Sequence, residues 1–309
     1  VAVLPLIGAV IDLGTNTFNL AVGQRSAAGL QLLHTQSLPV GLGKGGIQRG
    51  IITSEAQMRA LDALQQLQQQ ALAQGATQLV AIGTSALRNA SNAGELVAAA
   101  QAQLDLPLRI IDGLTEADYI WQGVRHSGAL SDRPSLVVDI GGGSVEFLYA
   151  THSQVLWKSS LEIGIARLGE LYPLTDPLLP ETLAQSTTWL REQLYPVFDL
   201  IRSEHIDQLC GSAGSFDVLI DLEAAAKSFT PARYNPLPLA RFIYWYERLL
   251  ASDRAQRKAL PGMKPNRKEM IVYALLLIRL LTDAIQPEYI QCASWSLREG
   301  ALAELVGVG

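Results

Sequence analysis

Four short stretches of this sequence bring glycine, hydroxyl and carboxylate residues close enough together to hold an oxyanion. Asp12-Leu13-Gly14-Thr15-Asn16-Thr17 and Asp139-Ile140-Gly141-Gly142-Gly143-Ser144 each close an apolar run. Glycine lets successive backbone N–H groups point into one concavity, and Thr15, Asn16 and Ser144 add side-chain donors. Gly83-Thr84-Ser85 and Gly211-Ser212-Ala213-Gly214-Ser215 make a third and a fourth turn. Each reads as running into a helix N-terminus, where negative charge is favoured. Asp12 and Asp139 stand at strand ends, where a carboxylate can hold Mg²⁺ directly or through water. One glycine turn is as easily a plain hairpin as a ligand site. Four of them in repeated order favour the ligand.

The order is repeated because the chain contains one unit twice. AVIDLGTNTFNLAV (9–22) matches LVVDIGGGSVEFLY (136–149) at an offset of 127, and LVAIGTSALR (79–88) matches QLCGSAGSFD (208–217) at 128. Two motifs recurring in order at nearly one spacing are the signature of an internal repeat. In each unit an apolar strand ends in Asp-Xaa-Gly and a second strand returns as a hairpin. The pattern predicts strands at 3–12, 18–24, 30–37, 78–83 and 108–112 in the first unit. Helices follow over a segment starting at Ser54 with Gln57 completing a capping box, over 92–104, and over a segment capped by Thr115. The second unit predicts strands at 135–140, 145–150, 154–162 and 207–210, with helices at 180–203 and 214–226. A helical insertion over 236–286, a strand at 288–292 and a last helix over 297–306 close the chain.

Composition narrows the class further. The chain has 309 residues, which suits two domains, and its 49% apolar content is ample for two cores. Cys210 and Cys292 offer no disulfide framework, which fits a reducing cytoplasm. The apolar start at Val1–Ile11 lacks a basic flank and reads as a strand rather than a signal peptide, and Arg279 interrupts the greasiest later run, so no membrane segment is expected. A net charge of −5 argues against nucleic acid as a partner. His34, His126, His152 and His205 show no zinc-ligand spacing.

The motifs IDLGTNTFNL, GTSALRNA, LTEADYIWQGV, DIGGGSVEF, LEIGIARL, GSAGS and LREG stand in the order found in the exopolyphosphatase and guanosine-pentaphosphatase family, which this chain resembles from residue 9 to about 302. The resemblance implies an α/β fold of two ribonuclease-H-like lobes, the duplicated unit of the actin-like ATPases, with the four turns converging on one cleft. The first lobe would be 1–123, with 298–309 packing back on it, and the second 124–297. It implies hydrolysis of terminal phosphoanhydride bonds in polyphosphate or in pppGpp with Mg²⁺ or Mn²⁺, by a form without a C-terminal HD-type domain. A homodimer is compatible with it. Glu116 matches the family's catalytic glutamate, and Glu146 its second acidic position, holding metal or water. Arg88 is placed for a bidentate phosphate contact. Gly14, Thr15, Asn16, Thr84, Ser85, Gly141, Gly142, Gly143, Ser144, Gly211 and Ser212 would bind phosphate, and Asp12, Asp139 and Glu146 metal.

One stretch departs from the family. Where its members read Leu-Pro-x-x-Arg-Ala-Asp and a glycine turn, this chain has Met263 to Glu269, keeping Arg267 and losing the glycine. Gly41-Leu42-Gly43-Lys44-Gly45-Gly46 resembles a nucleotide loop, but Lys44 is followed by glycine, so it is no Walker A loop. Arg254, Arg257, Lys258, Lys264, Arg267 and Lys268 read as a solvated basic face, or as a guide for a polyanion's tail. An actin-like ATPase or sugar kinase shares the turns, but SFDVLIDLEAA after Gly214 lacks the pattern that meets adenosine in those proteins. A sensor that binds ppGpp without turnover has no need of Glu116 and Glu146.

Overall fold

The computed structural model describes residues 6–263 and 270–309. The chain divides into two compact units, one running up to His126 and taking in Trp295–Gly309, the other Ser127–Ser294.

The first unit starts with β1 (Ile7–Leu13), β2 (Thr17–Ser26) and β3 (Gly29–Pro39), an antiparallel meander. It continues through α1 (Ser54–Ala73), β4 (Gln78–Gly83), the single turn α2 (Ser85–Arg88), α3 (Ala93–Leu104), β5 (Leu108–Ile110) and α4 (Gly113–Ser127). Strands β4 and β5 add in parallel, giving the order β3-β2-β1-β4-β5. β1 lies inside the sheet with both faces covered, which is why its residues are apolar with little alternation. One face carries Ile11, Leu13, Phe18 and Leu20 against Ala60, Leu64 and Leu67 of α1. Thr53 rather than Ser54 caps α1, its Oγ1 accepting from the N–H of Ala56 at 3.2 Å. Gln57 reaches Glu95 instead of closing a capping box.

The second unit repeats the meander as β6 (Ser135–Ile140), β7 (Val145–Ala150) and β8 (Val155–Leu161). Helices α5 (Ile165–Leu171), α6 (Pro180–Gln193) and α7 (Tyr195–Glu204) lead to β9 (Leu209–Ser212) and α8 (Gly214–Lys227). The helix expected over 180–203 is two helices, because Pro196 lacks the N–H that a continuous helix needs. The expected insertion opens with a strand, β10 (Tyr234–Pro238), before α9 (Leu239–Ala251), α10 (Arg254–Ala259) and α11 (Ile271–Ile285). β11 (Tyr289–Ala293) completes a sheet ordered β10-β11-β9-β6-β7-β8. Almost all of α11 is buried in the core of this unit. The last helix, α12 (Leu297–Leu305), belongs to the first unit and packs on β1 and β2, where Leu302, Leu305 and Val306 fill the space left by Gly8 and Gly23.

Both sheets thus have the ribonuclease-H-like order, and the duplicated actin-like fold follows. The repeat is strict at the hairpins, where Asp12 pairs with Asn19 and Asp139 with Glu146. It slips at the next strand: Gly83 stands opposite Leu13, whereas Gly211 stands opposite Val138, two positions short of the equivalent Ile140. A slip of two keeps every side chain on its face.

Candidate functional site

In the first unit the β1–β2 turn is tied from behind. The N–H of Gly43 donates to the carbonyl of Thr15 at 3.0 Å, and those of Val40 and Gly41 donate to Asn16 at 3.0 and 2.9 Å. In the second unit the segment entering α5 does the same to the β6–β7 turn. Ile165 N–H reaches Gly141 O at 3.1 Å, Ala166 N–H reaches Gly142 O at 2.8 Å, and Gly164 N–H reaches Gly143 O at 3.0 Å. Arg167 adds its Nε to Gly143 O at 3.3 Å. Across a trans peptide the carbonyl of one residue and the N–H of the next point in opposite directions. Engaging those carbonyls therefore turns the N–H groups of Gly142, Gly143 and Ser144 away from α5, and those of Asn16 and Thr17 away from the loop at 40–43. No described residue accepts from Gly142, Gly143 or Ser144 N–H. Successive amides turned outward over engaged carbonyls form an anion nest.

Two glycines make this close backing feasible. A Cβ on Gly164 would collide with the backbone of Gly142 and Gly143, and one on Gly43 would lie 2.6 Å from Thr15 Cγ2. The glycine-rich stretch 41–46 is thus a buttress for the turn, with the N–H of Gly46 bonded to Gly43 O at 3.2 Å, while Lys44 is exposed. Gly83 and Gly211 have a packing reason as well, since their missing Cβ leaves room for Leu87 and for the ring of Phe216.

The strand-end carboxylates differ between the units. Asp12 accepts from Asn19 Nδ2 at 3.2 Å, and Asn19 Oδ1 accepts from Ser37 Oγ at 2.8 Å. At the same place in the second unit, Asp139 faces Glu146 across the ladder. Ser212 Oγ donates to Asp139 Oδ2 at 3.1 Å and Ser160 Oγ to Glu146 Oε1 at 2.7 Å. Glu146 is 1% exposed. Both pairs lie on the sheet face opposite the main apolar cluster of their unit. Like charges directly opposed on neighbouring strands repel, and a cation removes that cost. Asp139 and Glu146 are hard oxygen donors of the kind Mg²⁺ and Mn²⁺ take, and Mg²⁺ needs only one or two carboxylates because it keeps several waters. Among the described residues no group of three or more His, Cys, Asp or Glu is arranged to hold a metal. The residues present fit a hydrated ion.

Arg88 and Glu116 meet in the first unit. Arg88 Nη1 donates to Glu116 Oε2 at 2.9 Å and to Ile111 O at 3.2 Å. The Arg88 and Glu116 side chains are only 18% and 10% exposed, so solvent screens this pair little. Glu116 lies in the first turn of α4, whose cap is Asp112 rather than Thr115. Asp112 Oδ1 accepts from the N–H groups of Leu114 and Thr115 at 2.9 and 2.8 Å. Hydrogen bonds from Thr115 hold the Asp112 carboxyl below its usual range. Thr84 and Ser85 are buried, with Thr84 Oγ1 donating to Leu13 O at 3.3 Å. Because α2 is four residues long, its dipole contributes little, contrary to the expectation of an anion-attracting helix end. In the second unit the junction is a tight one: Ala213 and Gly214 both have positive φ, at 45° and 50°. Ser215 Oγ there is buried without a hydrogen-bond partner.

Other candidates fall away from this chemistry. Arg257, expected on a solvated face, is 2% exposed and holds Ser252 O and Asp176. Lys264, Arg267, Lys268 and Glu269 lie outside the described residues. Burial pushes the Cys210 thiol up to about 12, which keeps it a neutral core residue. A recess of about 420 Å³ between α3 and β5 is lined by apolar groups such as Val80, Val97 and Leu108, and none of the candidate residues lines it. Among the described residues no helix is long and apolar enough to cross a membrane.

Two ribonuclease-H-like units, each with a glycine turn beside a strand-end aspartate, define a protein of the actin-like ATPase fold. The model of the Ppx/GppA phosphatase family matches residues 21–307, and the chain belongs to that family. It is a phosphohydrolase. An exopolyphosphatase from Cytophaga hutchinsonii has a solved structure 34% identical in sequence, superposing with a TM-score of 0.92 over 98% of this chain and 99% of that one. The Ppx/GppA family member of Aquifex aeolicus is 22% identical, with a TM-score of 0.80 over 97% of each chain, and shares the fold.

Proposed function

We propose that this protein removes terminal phosphate from inorganic polyphosphate. The observation that carries the reading is the pair of turns whose carbonyls are tied from behind, because outward amides bind phosphate oxygens and read no base. The exopolyphosphatase activity named for the relative from Cytophaga hutchinsonii supports it. In this reading Arg88 meets the terminal phosphoryl group and Glu116 orients a water and takes its proton. The water oxygen forms a new bond to phosphorus as the bridging P–O bond breaks, releasing orthophosphate and a chain shorter by one unit. Asp139 and Glu146 hold the divalent ion, which supplies positive charge to the phosphoryl oxygens when bound. Gly14, Thr15, Asn16, Gly141, Gly142, Gly143 and Ser144 cradle phosphate through their turns, and the hydroxyl of Ser212 keeps Asp139 oriented.

The test is phosphate release from polyphosphates of graded length, ATP and pppGpp at one salt and Mg²⁺ concentration. Higher kcat/KM on polyphosphate is expected. A clear preference for pppGpp would move the activity to the guanosine-pentaphosphatase side of the family, and a preference for ATP would remove both.

A further inference from the structure

We propose that Glu304 and Tyr119 form a latch that positions Glu116, so that a residue in the last turn of α12 sets the rate of hydrolysis. The inference rests on the role proposed above for Glu116. Helices α4 and α12 cross within the first unit at two glycines. A Cβ on Gly300 would collide with the carbonyl of Tyr119, and a Cβ on Gly123 with the carbonyl of Ser296. Backbone thus meets backbone at the crossing. Such a contact sets how closely the helices approach, and a directional side-chain bond beside it adds to what fixes the face that α4 presents.

The rotation is fixed one step nearer Glu116. Tyr119 follows Glu116 by three residues, which puts both on one side of the helix. Tyr119 is 5% exposed, and its hydroxyl donates to Glu304 Oε1 at 2.9 Å. It accepts from Arg109 Nη2 at 2.7 Å, and the Arg109 guanidinium lies 5.7 Å from the ring centroid. One phenol therefore joins β5, α4 and α12. Glu116 and Arg88 are only a hydrogen bond apart, so a small roll of α4 changes where the Glu116 carboxylate points. Neither Tyr119 nor Glu304 belongs to a phosphate-binding turn, so the latch acts on catalysis through Glu116 alone.

Four variants of the full chain test this with polyphosphate as substrate: Tyr119→Phe, Glu304→Ala, their double, and Glu304→Gln. Tyr119→Phe and Glu304→Ala should each lower kcat about tenfold, as misplacement of a reacting group does, with KM changed less than about twofold. The double variant should be no slower than either single one. Glu304→Gln keeps an acceptor for the Tyr119 hydroxyl and should restore most of the rate. Unchanged kcat in Glu304→Ala would overturn the proposal, as would additive losses in the double. So would a fall of kcat together with a rise of KM and a lower Tm, the mark of general destabilisation. Hydrogen exchange gives a second readout that needs no turnover. Glu304→Ala should speed exchange at the N–H groups of Ile120 and Trp121, whose helical acceptors are the carbonyls of Glu116 and Ala117, and unaltered exchange there counts against the latch. Were the wild-type chain inactive on polyphosphate while exchange responded, the proposed substrate would fail and the latch would stand.

Discussion

The hairpin of the first unit and the hairpin of the second share their register, a glycine turn and a backing segment, yet the residue that faces the strand-end aspartate differs. Asn19 faces Asp12 where Glu146 faces Asp139. An amide opposite a carboxylate donates a hydrogen bond and closes the pair within the protein. A second carboxylate instead sets two hard oxygen donors side by side, the pair to which the proposed function gives the divalent ion. Duplication supplied two glycine turns from one blueprint, and the proposed metal role separates them at the side chain that faces the strand-end aspartate.

The largest effect expected from this comparison is on turnover. Glu146→Gln should lower kcat by about 10²-fold or more and raise the Mg²⁺ concentration needed for half-maximal rate. Asn19→Ala, at the matching position, should cost less than about tenfold and leave the Mg²⁺ dependence unmoved. Equal sensitivity of both variants to Mg²⁺ would erase the distinction between the two units. Metal titrations of the initial rate decide it.

A second contrast concerns the backing segments. Gly164 abuts the backbone of Gly142 and Gly143, which cannot swing aside, whereas Gly43 abuts the end of the Thr15 side chain. Gly164→Ala should therefore cost about 3 kcal/mol and weaken phosphate binding, against about 1 kcal/mol for Gly43→Ala. Denaturant unfolding and phosphate titration of both variants measure the difference. A smaller effect belongs to the second unit alone. Burial opposes the charge of Glu223, but hydrogen bonds from Arg241, Lys227 and Trp245 outweigh it and hold its carboxyl at about 2. A depressed folded value means stability that is complete above the unfolded value near 4.5 and lost as pH falls toward 2. With Lys227 largely solvated, the loss is on the order of 2 kcal/mol between pH 5 and 2. Glu223→Gln, destabilised at neutral pH, should flatten that slope in urea melts at graded pH.

The sequence was legible where chemistry and spacing coincide. The doubled Asp-Xaa-Gly hairpins and the two-lobed α/β fold follow from the repeat itself, and its offset of 127 already pairs Asn19 with Glu146. What stayed hidden depends on contacts between distant segments. Nothing local in LEIGIAR says that Gly164, Ile165 and Ala166 tie the carbonyls of Gly141 to Gly143. The helical insertion expected over 236–286 overlaps β10, whose Pro236 and Pro238 are tolerated because β10 is at the sheet edge and each can leave a donor out. The cap of α4 is Asp112 instead of the expected Thr115, since a side-chain oxygen two and three residues ahead reaches the N–H groups of Leu114 and Thr115.

The claim at the centre is that Glu116, paired with Arg88 in the first unit, orients the attacking water. Glu116→Gln keeps the size of the side chain and its capacity to accept from Arg88, but removes the base. Single-turnover phosphate release from polyphosphate, alongside equilibrium binding of the same polymer, measures both halves of the claim. A rate lower by about 10²-fold or more with binding intact is the predicted result. Near-normal release by Glu116→Gln would contradict it.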